Sequence, residues 1–304
     1  MSMSSLPRLL RALTCEPLAM DRDFLFSLVN VVRRHNLGAS FDGAALHEEL
    51  AVAYPRERSS SSDGTVAVIP VVGVIANRSQ SMGVGADQIA QAVTAAANSA
   101  RVDAIVLDMD SPGGTVTGVP EAADAVHEAS KIKPIVSVSN GGMGSAAYWI
   151  GAAANEVVVS PSSKAGSVGV YMLHEDWSAA AESEGVVFTE ISAGKYKTEG
   201  APWKPLDEDA EAFLHAEVTA AYKWFTNDVA RFRGATGAEV RKGYGEGRYL
   251  GAKEAVAAGL ADRVGTLDET IIRMAGTASS RKGAKADAQL RELEARKRAR
   301  IRGA

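Results

Sequence analysis

Ser145 stands in Gly-Gly-Met-Gly-Ser145-Ala-Ala-Tyr-Trp-Ile-Gly151, a glycine turn that runs straight into an apolar, alanine-rich stretch. Upstream, Asp108-Met-Asp-Ser-Pro-Gly113-Gly114 reads as a strand ending in a tight turn that leaves backbone N–H groups unpaired. A hydroxyl at a helix start beside free amide donors supplies two of the three parts of an acyl-transfer site: a nucleophile and an oxyanion hole. The third part is a base. Of the five histidines, His35 and His47 lie near the N-terminus, and His127 and His215 fall inside amphipathic helical stretches. Only His174, just past a strand end, keeps a Ser-His-Asp arrangement open, and no glycine turn or acidic orienter accompanies it. A lysine serves equally well once its ammonium is desolvated, because burial disfavours the charged form. The segment Ile191-Ser-Ala-Gly-Lys195-Tyr-Lys197-Thr-Glu-Gly200 offers two lysines after an apolar run. A lone loop lysine is ordinarily a solvated charge, so the rest of the site must single one out. Ser111 is nearly as conspicuous as Ser145, but turn chemistry accounts for it. Asp108 and Asp110, with no histidine near them in sequence, read as structural strand-end carboxylates. No metal and no cofactor are expected.

The elements that must position these residues alternate. Thr65 to Ile75 is an apolar, β-branched run that Pro70 confines to a bend or a sheet edge. The pattern then predicts a helix over 86–100, a strand over 102–109, a helix over 119–130, a strand over 134–138, a helix over 145–154 and a strand over 156–160. A helix over 177–183, a strand over 186–191 and a long helix over 205–232 follow. Phe213, Val218, Tyr222 and Phe225 form the apolar side of that long helix. A short helix over 252–258 and the segment 259–265 close the domain. This rhythm is that of an α/β protein with a mainly parallel sheet.

Residues 1–55 read as a helical N-terminal extension, in which Phe24, Leu25, Leu28, Val29, Val31 and Val32 form an apolar stripe. Residues 56–64 are a serine-rich linker, 65–275 the main domain and 276–304 a basic, charged tail. From Ser279 to Ala304 nine Lys/Arg stand against three Asp/Glu, so a local +6 leaves −10 for the rest of a chain whose formal charge is −4. That tail suits an acidic scaffold or, more weakly, nucleic acid; a solvated tail is the simpler reading. The 46% hydrophobic content of the 304 residues suffices for one large core. The single Cys15 excludes an internal disulfide framework. No apolar run approaches the length of a membrane span, and Glu16, Pro17, Asp21 and Asp23 interrupt any leader-like segment, so a cytoplasmic protein without a membrane partner is expected.

Four segments in order, Asp108–Gly114, Gly144–Gly151, Ala165-Gly-Ser-Val-Gly-Val170 and Gly194-Lys-Tyr-Lys-Thr-Glu-Gly200, together with Gly247–Asp262, resemble the signal-peptide-peptidase-A family of serine peptidases over residues 65–270. The resemblance implies that Ser145 is the nucleophile, Lys197 the general base and Ser167 the serine that holds the lysine amine. It implies that Gly114 and the amide of Ala146 form the oxyanion hole, with Gly113 allowing the turn. Lys195 competes with Lys197 for the role of base. It also implies a Clp/crotonase-type fold, a spiral of β-β-α units that assembles into homo-oligomers. Ala146-Ala147 stand where cellular members commonly have Gly-Gly, which narrows the pocket beside the nucleophile. The Asp-Met-Asp-Ser-Pro-Gly-Gly and Lys-Thr-Glu-Gly-Ala-Pro-Trp segments are similar to the prohead proteases of tailed bacteriophages. That subgroup implies polypeptide substrates such as scaffold, portal or capsid proteins. The alternatives are a cytoplasmic signal-peptide or general peptidase, a non-catalytic assembly protein, and a crotonase-like acyl-CoA enzyme.

Overall fold

The computed structural model describes residues 17–21, 25, 66–78 and 83–277. The linker, most of the N-terminal extension, Cys15, His35, His47 and the basic tail from residue 278 lie outside the described residues.

Two sheets form the frame. The larger carries β2 (Val66–Val72), β5 (Ala104–Ser111), β7 (Ile135–Gly144), β8 (Glu156–Val159) and β9 (Lys164–Gly166), all in parallel pairing. The antiparallel β10 (Tyr249–Gly251) and the short parallel β11 (Arg263–Val264) complete it. The smaller sheet has the order β1 (Leu18–Met20), β6 (Gly113–Thr115), β3 (Val74–Ala76), β4 (Gly83–Gly85). A strand in the large sheet, a strand in the small sheet and then a helix recur as β2-β3-β4-α1 (Ala86–Asn98) and β5-β6-α2 (Val119–Ile132). This is the spiral of β-β-α units that the resemblance implied, and the sheet is mainly parallel as the sequence rhythm predicts.

β5 and β7 lie inside the sheet; β5 opens on the apolar run Ala104–Leu107, as a strand covered on both faces must, whereas β7 carries Ser137 and Ser139, each buried with a hydrogen bond. Pro70, which has no N–H to donate, sits in β2 opposite Asp108 on the sheet's edge, where a missing donor costs nothing. The strand runs through it, and the corner falls instead at Gly73, with φ 80°. The register between β5 and β7 slips after Met109, so that Asp110 pairs with Gly142. This irregularity bends the end of β7 and lays Met143 and Gly144 beside Ala165 and Gly166.

The short helix α3 (Ala146–Gly151) leaves β7 completely buried. Tyr148 donates its hydroxyl to the Leu260 carbonyl at 2.9 Å, and Trp149 Nε1 donates to Asp228 Oδ2 at 3.0 Å. The Trp149 ring stacks on Phe225 at 4.5 Å between centroids. Phe225 belongs to the long helix α5 (Glu208–Arg233), which follows the short α4 (Ser178–Ser183) and which Asp207 caps by accepting from Ala210 N at 2.8 Å. Among the described residues no helix is long and apolar enough to cross a membrane.

Three expectations need correction. The stretch 186–191 is not a strand: its β-branched residues have no partner strand, and Val187 and Ile191 are 87% and 96% exposed. In α5 the buried residues gather in the C-terminal half, at Ala221, Phe225 and Val229, with Ala210 alone near the start, whereas Phe213 is 54% exposed. Leu18–Met20, in a stretch read as helical, is a strand because its partners are the distant β6 and Tyr171 rather than its sequence neighbours.

Candidate active site

Ser145 occupies the junction where β7 ends and α3 begins. Its φ of 51° is one that L-residues adopt at a cost, and the side chain is fully buried. The strain is held by the packing of the whole of α3 below it and by Ser145 N donating to the Gly166 carbonyl at 2.8 Å. The turn keeps the Ser145 hydroxyl at the end of the strand rather than in the sheet, and Oγ lies 3.3 Å from the Gly169 carbonyl.

Ser167 is brought to the same place by parallel pairing. Gly144 lies opposite Gly166, so the next residue on each strand, Ser145 and Ser167, leaves the sheet side by side. Ser167 also has a positive φ, 54°, is buried, and is held by its N–H on the Arg248 carbonyl at 2.8 Å.

Gly113 and Gly114 form the third side. A methyl group built on Gly113, whose φ is 97°, would lie 3.0 Å from Ala146 N and 2.2 Å from the Ala19 carbonyl oxygen. A methyl group on Gly114 would lie 1.7 Å from the Ile75 carbonyl oxygen. Both positions therefore exclude a side chain, the first because the Ala19 carbonyl and the Ala146 amide close on it and the second because β6 lies tight against β3. Ser111 Oγ accepts from Gly113 N at 3.2 Å, which is the turn-forming role expected of it. The Ala146 amide, the first of the helix that follows Ser145, thus borders the Gly113 turn.

One sequence-predicted residue is not brought to this cluster within the chain. Lys197 is exposed, on a segment running from Val170 to Lys204 that turns away from the sheets and is largely solvent-facing. The segment has its own polar hub: Glu190 accepts from Trp203 Nε1 at 2.7 Å, from Thr198 Oγ1 at 2.9 Å and from Lys204 Nζ at 3.0 Å. These donors hold the Glu190 carboxyl below its ordinary pKa, the Lys204 hydrogen bond foremost. Lys195 donates to the Tyr196 hydroxyl at 2.8 Å and stands 3.8 Å from Asp209. Its pKa is raised, chiefly by the Tyr196 hydrogen bond, the wrong direction for a group that must be neutral to take a proton. Among the described residues Lys197 makes no such commitment.

The remaining candidates fall away from the nucleophile. His127 packs on Phe232 with centroids 5.2 Å apart. His215 contacts Thr219 Oγ1 at 3.4 Å. His174 lines a cavity of about 470 Å³ with Tyr171, Glu199, Leu214 and His215. Its Nε2 is buried without a hydrogen-bond partner among the described residues. No group of three His, Cys, Asp or Glu among the described residues is arranged to hold a metal ion.

Sequence reasoning missed the strand that runs along this cluster. β1 pairs antiparallel with β6, Ala19 opposite Gly114, and on its other side Leu18 exchanges hydrogen bonds with Tyr171 at 2.9 and 3.1 Å. Nothing in Pro17-Leu-Ala-Met-Asp21 marks it as a strand, since it is short and its partners are far away in sequence.

With this geometry in hand, comparison with known proteins is specific. Residues 127–281, just over half of the chain, match the model of peptidase family S49, a span that holds Ser145, Ser167 and Lys197. The chain is similar to capsid assembly protease C of Escherichia phage lambda, with 29% identity over 297 residues, 91% of this chain and 67% of that one. It is similar to head-tail preconnector protein GP5 of Enterobacteria phage P21, with 29% identity over 221 residues, 71% of this chain and 44% of the relative. Protease 4 of Salmonella typhi shares 32% identity over 226 residues, 73% of this chain and 36% of the relative. The chain thus spans two thirds of the first of these and less than half of the other two. Among solved structures, the ClpP protease catalytic domain of Plasmodium falciparum covers 65% of this chain and 83% of its own, at 17% identity and a TM-score of 0.40.

Proposed function

The chain belongs to peptidase family S49, a family of serine peptidases, and from that premise we propose that it is a Ser-Lys endopeptidase that processes head proteins during phage assembly, in the host cytoplasm. The observation that carries the chemistry is the strained, buried Ser145 beside the amides of Gly114 and Ala146. The names of the lambda and P21 relatives carry the choice of substrate.

Neutral Lys197 takes the proton of Ser145 as the hydroxyl attacks a peptide carbonyl, and the two amides hold the oxyanion. The lysine gives the proton to the leaving amine, and water then hydrolyses the ester. Ser167, which leaves its strand beside Ser145, positions the lysine amine.

The lysine comes from a second copy of the chain. This reading is supported by the exposure of Lys197 on a segment that also exposes Val187, Phe188 and Ile191, apolar surface that a neighbouring subunit would cover. Docked against that neighbour, the amine leaves water and its ammonium form is disfavoured, which is what a base requires.

Ser145→Ala and Lys197→Ala are each expected to lower hydrolysis of an unfolded polypeptide such as casein by up to about 10⁶-fold. Co-assembling the two inactive variants is expected to restore a fraction of the activity, because mixed pairs contain one intact serine and one intact lysine. Full activity in Ser145→Ala would end the assignment, and mixtures that stay inactive would return the lysine to its own chain.

A further inference from the structure

Beside the turn that carries Gly113 and Gly114 lies a buried, extended segment from the N-terminal part of the chain. β1 lies between β6 on one side and Tyr171 on the other, antiparallel to both, and Leu18, Ala19 and Met20 are buried. An extended segment clasped by backbone on both edges is the way a peptidase of this build would grip a substrate, since the ladder fixes the main chain and leaves side chains to pockets. We infer that residues 17–21 occupy the substrate channel as a built-in substrate, and that Ala19–Met20 is the first peptide bond the enzyme cuts. This inference rests on the peptidase reading above.

The register selects the bond. Asp21 N donates to the Pro112 carbonyl at 2.7 Å and Val116 N donates to the Pro17 carbonyl at 3.1 Å. Hydrogen-bonded pairs in an antiparallel ladder alternate, so the pair midway between these two, Ala19 with Gly114, is also a bonded one. The Gly114 N–H, one of the two oxyanion donors, therefore faces the carbonyl oxygen of Ala19. That same oxygen and Ala146 N, the other donor, both border the space a Gly113 side chain would fill. Of the carbonyls in β1, the one of Ala19 is thus the one that faces the Gly114 N–H and borders the same space as the Ala146 amide. The methyl of Ala19 is completely buried, which favours a small residue before the cut, and Leu18 and Met20 on either side of it are buried as well.

In the step itself Ser145 Oγ bonds to the Ala19 carbonyl carbon and the Ala19–Met20 C–N bond breaks. The serine proton passes through the base to the Met20 amine. Water hydrolyses the ester, leaving Ala19 as a carboxylate and Met20 as the new N-terminus. With the lysine supplied on assembly, the segment shields the serine until subunits meet, and its cleavage then opens the channel to extended segments of other proteins with a small residue before the cut.

The test follows the full-length chain. Wild type, Ser145→Ala, Ala19→Phe and Ala19→Gly are incubated at assembling concentration, with intact mass and N-terminal sequence read over time and casein hydrolysis followed in parallel. Wild type and Ala19→Gly are expected to accumulate a chain beginning at Met20, with a lag in casein hydrolysis that ends as the clip completes. Ser145→Ala stays intact, and Ala19→Phe is clipped on the order of 10²-fold more slowly, the penalty for displacing a reacting carbonyl by about 1 Å. A wild type that hydrolyses casein yet keeps its first residues, or is cut at another bond of the segment, overturns the inference and leaves the peptidase reading standing. Clipping of Ser145→Ala, or of folded Ala19→Phe at the wild-type rate, overturns it too. A wild type that cuts neither casein nor itself sinks both readings. Should Ala19→Phe fail to fold, the N-terminal sequence of the active wild type decides alone.

Discussion

The strand ends that hold Ser145 and the segment that carries Lys197 are built in opposite ways. Around Ser145 the chain satisfies itself: α3 is buried residue by residue, Trp149 is stacked and hydrogen-bonded, and the serine amide is tied to Gly166. In the segment 174–204, Ile191 is 96% exposed and the β-branched run before it has no partner strand among the described residues. A strained backbone needs surroundings that over-determine it, and the nucleophile has them. A base that must change its charge state on assembly needs surroundings that can be completed later, and the segment has those. On the reading proposed above, one half of the catalytic pair is finished by folding and the other by association.

Several experiments would break or sharpen that contrast. Gly114→Ala strikes the finished half hardest, because its new methyl would meet the Ile75 carbonyl 1.7 Å away and drive β6 off β3. It is expected to lower kcat/KM on casein by 10²–10³-fold or more, about the value of one lost oxyanion donor, with a lowered Tm. A near wild-type rate would mean the Gly114 amide is not a donor. Trp149→Ala removes the prop beneath α3 and is expected to cost about 3–5 kcal/mol of stability in denaturant unfolding.

A smaller effect comes from pH. Burial alone would raise the Asp262 pKa, but it is outweighed by the paired Arg233 hydrogen bonds at 2.7 and 3.0 Å and by the Val157 amide, so the carboxyl sits below its ordinary value. A depressed folded-state pKa stabilises above the unfolded value, and that stability is lost as pH falls through the folded one. Wild type should therefore lose stability in acid more steeply than Asp262→Asn, which starts lower at neutral pH. Parallel curves from pH 7 to pH 3 would contradict this. The smallest expected change in stability is in the exposed segment, where Ile191→Ser should alter unfolding of the isolated subunit by no more than about 0.5 kcal/mol. The same substitution should weaken self-association in sedimentation and lower activity with it. If it unfolds the subunit instead, the segment is part of the core and the contrast fails.

Much of the finished half was legible in the sequence. The turn before Ser145 announces itself by glycines and the helix after it by small apolar residues, while the buried strand at Ala104–Leu107 announces itself by unbroken hydrophobicity. Phe213 and the run 186–191 misled for one shared reason: apolar and β-branched composition reports that a surface is to be covered, without saying by which chain. The small sheet was invisible. Gly113–Thr115 and Leu18–Met20 are three residues each, too short for any period to show, and they exist only through pairing with segments distant in sequence.

The chain's order of residues, taken alone, determined the α/β alternation, the identity of Ser145, the glycines beside it and the family resemblance, because these rest on local backbone sterics and on side-chain chemistry that travels with the residue. Folding in three dimensions decided that Ser167 emerges beside Ser145, that Lys195 is engaged while Lys197 is not, and that Ala19 faces Gly114. Those facts depend on register and on long-range closure, which the free energy of the whole packed structure sets and no local stretch encodes.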